Sequence, residues 1–144
     1  VRNAKALAQA LYERGVDVLY EHRGFTESHT IVADVSKYMN GKQSEEKLEQ
    51  AKIIINRNLI PKDYRLKTDY RTPSGIRLGT QEVTRLGMRE SEMEWIAELI
   101  AKVIVKGEDP SKVAQEVSEL KRPFNKVHYC FTSKTEAYSY VQIR

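Results

Sequence analysis

The stretch Ser74-Gly75-Ile76-Arg77-Leu78-Gly79-Thr80 constrains this chain more than any other. Ile76 and Leu78 alternate with Arg77, and successive side chains of a strand leave on opposite faces. The two aliphatics therefore point one way and the guanidinium the other. Pro73 and Gly75 punctuate the start of the run and Gly79 ends it. An arginine in the middle of such a strand is held by the sheet. Its planar fork of donors matches a carboxylate or phosphate with two hydrogen bonds. Arg77 is thus a candidate anion-binding residue; the plainer alternative is an exposed arginine on a sheet edge.

Upstream, residues 56–75 show neither a helical nor a strand period. Structureless loops beyond about 12–15 residues are uncommon in compact domains, and those that occur are usually functional or disordered. Leu59, Ile60, Tyr64, Leu66 and Tyr70 supply apolar anchoring points, which favours order. Arg57, Lys62, Arg65, Lys67 and Arg71 outnumber Asp63 and Asp69. The pattern predicts an ordered basic loop that, with Arg77, forms one wall of a site for an anionic ligand.

Elsewhere, Ala4, Leu7, Ala8, Ala10 and Leu11 form a helical apolar stripe, with Gly15 just past its end. Residues 16–20 and 29–35 read as strands joined by a polar link, hence an antiparallel pair. Asn40-Gly41 reads as a turn, and Ser44 as the cap of a short helix over 45–51 with Leu48 and Ala51 inward. Residues 53–55, three isoleucines, read as a strand. Residues 80–86 form one or two helical turns ending at Gly87. A longer helix follows, with Ser91 and Glu94 at capping-box spacing and Met93, Ile96, Leu99, Ile100, Val103 and Ile104 along one side. Gly107 ends it, and Asp109-Pro110 starts another helix with Val113, Ala114, Val117 and Leu120 inward. Residues 127–131 suggest a strand or docked end, with a looser polar tail from 132.

The expected fold is α+β: a two-layer small domain with a short, mainly antiparallel sheet from segments near 16–20, 30–35 and 75–79, covered by helices on one face. The chain of 144 residues reads as a single domain, with its core at about 1–106 and a C-terminal helix and tail over 107–144. It begins with Val and reads as helix from the outset, which suggests a piece of a longer chain.

Composition excludes several functions. The 24 basic and 20 acidic residues are interleaved, giving a net charge of +4, not the basic stripe that nucleic acid requires. No apolar run approaches the ~18 residues of a membrane span. Cys130 stands alone, so no internal disulfide forms, which fits a reducing, cytoplasmic setting. His22, His29 and His128 show no metal-ligand spacing. No nucleophile elbow, phosphate-binding glycine loop or dinucleotide fingerprint occurs. An anion site is suggested, without a complete catalytic set.

At Ser74–Thr80 the sequence resembles serine hydroxymethyltransferase, a pyridoxal phosphate (PLP) enzyme of fold type I. Further matches keep order and spacing. Asn3-Ala4-Lys5-Ala6-Leu7-Ala8 with Leu11 and Gly15 is similar to the helix that opens that family's small C-terminal domain. His29 through Asp34 resembles its His-x-x-x-x-Asp strand. Asn56-Arg57-Asn58-Leu59-Ile60-Pro61 resembles its Asn-x-Asn-x-(Ile/Val)-Pro segment. Arg85-Leu86-Gly87 with Glu90, Met93 and Ile96 resembles the start of its last long helix. The similarity covers about residues 1–105, and Gln81-Glu82 is similar to the archaeal branch. One departure is clear: the family usually has Arg just before the glycine at Gly87, where this chain has Leu86, with Arg85 one place earlier.

The resemblance implies an enzyme that interconverts serine and glycine and passes the one-carbon unit to a tetrahydropterin, either tetrahydrofolate or a modified archaeal pterin. It implies that Arg77 binds the substrate α-carboxylate and that Asn58 lies beside the pterin site. It also implies a homodimeric full-length protein. The lysine that binds PLP, and the groups holding its ring and phosphate, would lie in an upstream large domain absent from this chain, so the isolated chain is expected to be inactive. The alternative, read from residues alone, is a stand-alone α+β interaction domain whose basic loop binds an acidic partner.

Overall fold

The computed structural model describes residues 1–128. The chain runs α1 (Arg2–Glu13), β1 (Asp17–Val18), a 3-10 turn (Glu21–Arg23), β2 (Thr30–Asp34), α2 (Gly41–Gln50), β3 (Asn56–Asn58), α3 (Pro61–Leu66), β4 (Gly75–Gly79), α4 (Gln81–Arg85), α5 (Glu90–Ile104) and α6 (Pro110–Lys121). The four strands form one antiparallel sheet in the order β1-β2-β4-β3. The α+β expectation holds, with a fourth strand added.

Alternation divides the sheet into two faces. Ile31 pairs with Leu78 and Ala33 with Ile76, and all four side chains are buried. They join Val18, Leu7, Leu11, Leu48, Ile100 and their neighbours in one core. Helices α1 and α2 contact the sheet, while α5 runs along α1 and also meets α2 and α6. Asn3, near the start of α1, is buried and donates to Thr84 Oγ1 (2.8 Å) and the Met88 carbonyl (2.9 Å), fixing α4 against α1.

Several local expectations fail for identifiable reasons. Residues 53–55 are not a strand; they are irregular, Ile54 is 78% exposed, and pairing begins only at Asn56. The supposedly structureless loop holds both β3 and α3. Asn40, not Ser44, caps α2: its side chain accepts from Gln43 N–H (2.9 Å), and the Gln43 side chain accepts from Asn40 N–H (3.1 Å). Gly41 is therefore the first helical residue, and Ser44 is buried within the first turn, bonded back to the Asn40 carbonyl at 3.1 Å. The α5 cap likewise comes earlier than Ser91, with Glu92 accepting Arg89 N–H at 2.7 Å. Asp109 caps α6 as expected. Residues 127 and 128 are irregular, and the Tyr129–Phe131 part of the expected tail strand lies outside the described residues.

Candidate functional site

Arg77 sits in β4 with its side chain exposed, on the face opposite buried Ile76 and Leu78. Val32 stands opposite it on β2 and Asn56 on β3. Directly paired residues share a face, so Thr30, Val32 and Asp34 from β2, Arg77 from β4, and Asn56 and Asn58 from β3 form one open surface. The two residues singled out from the sequence, Arg77 and Asn58, are thereby brought together on it. Arg77 donates from Nη2 to Asn56 Oδ1 at 3.3 Å and makes no salt bridge among the described residues. Asn58 donates its amide to the Leu59 carbonyl at 2.6 Å.

The backbone entering β4 is held on several sides. The Ser74 carbonyl accepts Val35 N–H at 3.0 Å, and Gly41 N–H donates to the Pro73 carbonyl at 2.6 Å. Ser74 N–H donates to the Asp63 carboxylate at 3.1 and 3.3 Å. Asp63 is 1% exposed and also accepts Ile60 N–H at 3.0 Å. Burial pushes its carboxyl up, but hydrogen bonds from Ser74, Ile60 and Thr68 outweigh that and hold it below the ordinary carboxylate range. Gly75 is required where it stands: a Cβ there would lie 2.3 Å from Ile60 Cγ2 and 2.8 Å from the Asn58 carbonyl oxygen. Ile60 therefore lies directly over Gly75, and residues 58–63 cross the open face beside Arg77.

Sequence reasoning missed Asp63. The signal was present in Pro61-x-Asp63, a proline at the first helical position with a carboxylate at the third, able to reach back to the preceding N–H. It also missed Asp34 as a member of this face. Asp34 accepts Ser36 N–H at 2.9 Å and is bound by Lys62 Nζ, which also donates to Ser36 Oγ. Burial raises the Asp34 carboxyl, but the bonds from Lys62 and Ser36 prevail and lower it.

These contacts modify the expected basic wall. Lys62 is neutralised by Asp34, and Arg57 turns to the helix side to meet Glu45 of α2 at 3.4 Å. Arg65, Lys67 and Arg71 make no salt bridge among the described residues, and Arg71 lies over the Tyr70 ring at 5.6 Å. Arg77 also borders a groove of about 520 Å³ whose lining, including Ile55, Leu78, Val83, Leu99 and Leu120, is mostly apolar. The polar groups free to meet a polar ligand are those of the open face. Among the described residues no group of His, Cys, Asp or Glu could hold a metal ion, and no helix is long and apolar enough to cross a membrane.

The model of the family described as serine hydroxymethyltransferase matches residues 1–100. This chain belongs to the serine hydroxymethyltransferase family. It is 54% identical over 143 residues to a serine hydroxymethyltransferase of Methanopyrus kandleri, covering 99% of this chain and 33% of that protein. It is 50% identical over 143 residues to that of Thermoplasma acidophilum, with the same coverage of 99% and 33%. The chain thus spans about a third of the length of these curated relatives. Among solved structures it is similar to the L-threonine transaldolase of Pseudomonas fluorescens, crystallised in its internal aldimine state. The two share 35% identity with a TM-score of 0.70, over 86% of this chain and 27% of the other. The archaeal serine hydroxymethyltransferases agree with the branch suggested by Gln81-Glu82.

Proposed function

We propose that residues 1–144 are the C-terminal small domain of a PLP-dependent serine hydroxymethyltransferase and that Arg77 binds the α-carboxylate of serine or glycine. The observation that carries this reading is Arg77 itself: a strand-mounted guanidinium, exposed, with only a neutral protein partner among the described residues. Two hydrogen bonds from that fork would fix the carboxylate, and with it the directions of the bonds at Cα. A strand whose entry is bonded through Asp63, Val35 and Gly41 is a stiff mount for that task. Asn58 shares that face, two residues from Asn56, and on this reading it meets the tetrahydropterin that accepts the one-carbon unit.

The described residues do not themselves fit a covalent PLP site. The lysines among them that are more than superficially buried are Lys62 and Lys102. Lys62 is held by Asp34, and Lys102 donates to Glu116 at 2.7 and 2.8 Å, an interaction that raises its pKa above the usual lysine value. An ammonium so paired is no nucleophile. This reading puts the cofactor, which supplies an electron sink for carbanion chemistry, in the remainder of the protein. The reading carries with it a homodimeric, cytoplasmic enzyme. Expression of the full-length chain tests it: the protein should hold PLP and exchange serine and glycine in the presence of a tetrahydropterin. A full-length protein that binds PLP but processes neither amino acid would overturn the reading.

A further inference from the structure

Asp34 stands opposite Gly75, and Val32 stands opposite Arg77. Asp34 is therefore the diagonal neighbour of Arg77 on the open face. Such neighbours lie about 7–8 Å apart, within reach of a long side chain. Asp17 lies opposite Asp34 on β1, one strand further from Arg77. A free carboxylate at position 34 would have two effects. It would compete for the Arg77 guanidinium, and it would repel an incoming carboxylate. No bond joins Arg77 to Asp34, and Arg77 donates to Asn56 instead. The Asp34 side chain, 13% exposed, is bound by Lys62, by Ser36 N–H and by nothing from Arg77. Lys62 is brought across the sheet by α3, whose start is bonded to Asp63.

We propose that Lys62 is a positioning residue for the carboxylate site: by pairing with Asp34 it keeps the carboxylate diagonal to Arg77 off the guanidinium and leaves it free for substrate. This rests on the reading of Arg77 given above. The alternative is that the Lys62–Asp34 pair merely ties α3 to the sheet. The two differ in what happens when both charges are removed. A tether is lost equally in Lys62→Met and in the double variant. A masking cation is needed only while Asp34 is charged.

The test compares full-length Lys62→Met, Asp34→Asn, the double variant and Arg77→Ala, with PLP occupancy and melting temperature recorded for each. KM and kcat are measured with L-serine, and Kd with glycine. Lys62→Met should raise KM and Kd about tenfold or more while kcat changes little, and the effect should be larger at low ionic strength. The double variant should bind several-fold more tightly than Lys62→Met alone. Binding by Lys62→Met as tight as wild type, or a double variant no better than Lys62→Met, overturns the inference. These outcomes separate from failure of the underlying reading, which would show as unchanged amino-acid binding in Arg77→Ala.

Discussion

The Asp63 carboxylate receives the backbone N–H of Ser74 at 3.1 and 3.3 Å, joining the first turn of α3 to the residue that leads into β4. Because Asp63 also accepts Ile60 N–H, a single buried side chain closes the segment between Asn58 and Arg77. Asp63→Ala should cost about 1–3 kcal/mol, the penalty of leaving buried donors unpaired. Urea unfolding measures it, and a change under about 0.5 kcal/mol, the range of ordinary surface substitutions, would contradict the role.

The same bonds make stability pH-dependent. The folded-state pKa of Asp63 is lowered below that of the unfolded chain. Its contribution is therefore complete above the ordinary carboxylate range and is lost as pH falls through about 4 toward the depressed folded value. Asp34 and Glu98 shift in the same direction. Melting temperature should fall across that interval, and the fall should be shallower in Asp63→Asn, which has no proton to take up there.

Gly41→Ala should destabilise despite the better helix propensity of alanine. The gain is about 0.5–1 kcal/mol. Against it, the new Cβ would lie 2.2 Å from the Gly75 carbonyl oxygen and 3.0 Å from that of Pro73, both backbone atoms. Overpacking of this kind typically costs about 1–3 kcal/mol. The displaced segment leads straight into Arg77, so the serine KM of the full-length variant should rise as well. A variant as stable as wild type would show that the contact relaxes freely.

Much of this was legible before the fold. Alternation placed Arg77 opposite Ile76 and Leu78, and the apolar stripes placed α1, α5 and α6, because both signals are local and periodic. What escaped was set by neighbours distant in sequence. Residues 56–58 are a polar strand, paired among the described residues only to β4 and clasped through Arg57 by Glu45, so no alternation marks them. Asn40-Gly41 opens a helix instead of a turn because Gly41 packs on the backbone of residues 73–75. Lys62 and Asp34 meet across the sheet, and nothing local in either segment announces it.

The chain of residues 1–144, expressed alone, should not acquire the absorbance of lysine-bound PLP, because the half-buried lysines among its described residues are paired with carboxylates. Titration with PLP under dialysis checks this. A stable, stoichiometric adduct that resists dialysis would mean that this part of the protein carries a cofactor lysine.

The central claim is that the guanidinium of Arg77 holds the substrate carboxylate. Charge-assisted hydrogen bonds are worth about 1.5–3 kcal/mol each. Loss of two should lower kcat/KM for serine by about two to four powers of ten. The direct measurement is serine affinity and kcat/KM of full-length Arg77→Lys, with PLP occupancy and melting temperature alongside. Lysine keeps the charge but loses the planar fork, so serine binding should fail while cofactor content and stability persist. Serine binding within a factor of about three of wild type would contradict the claim and leave Arg77 an exposed arginine on a strand.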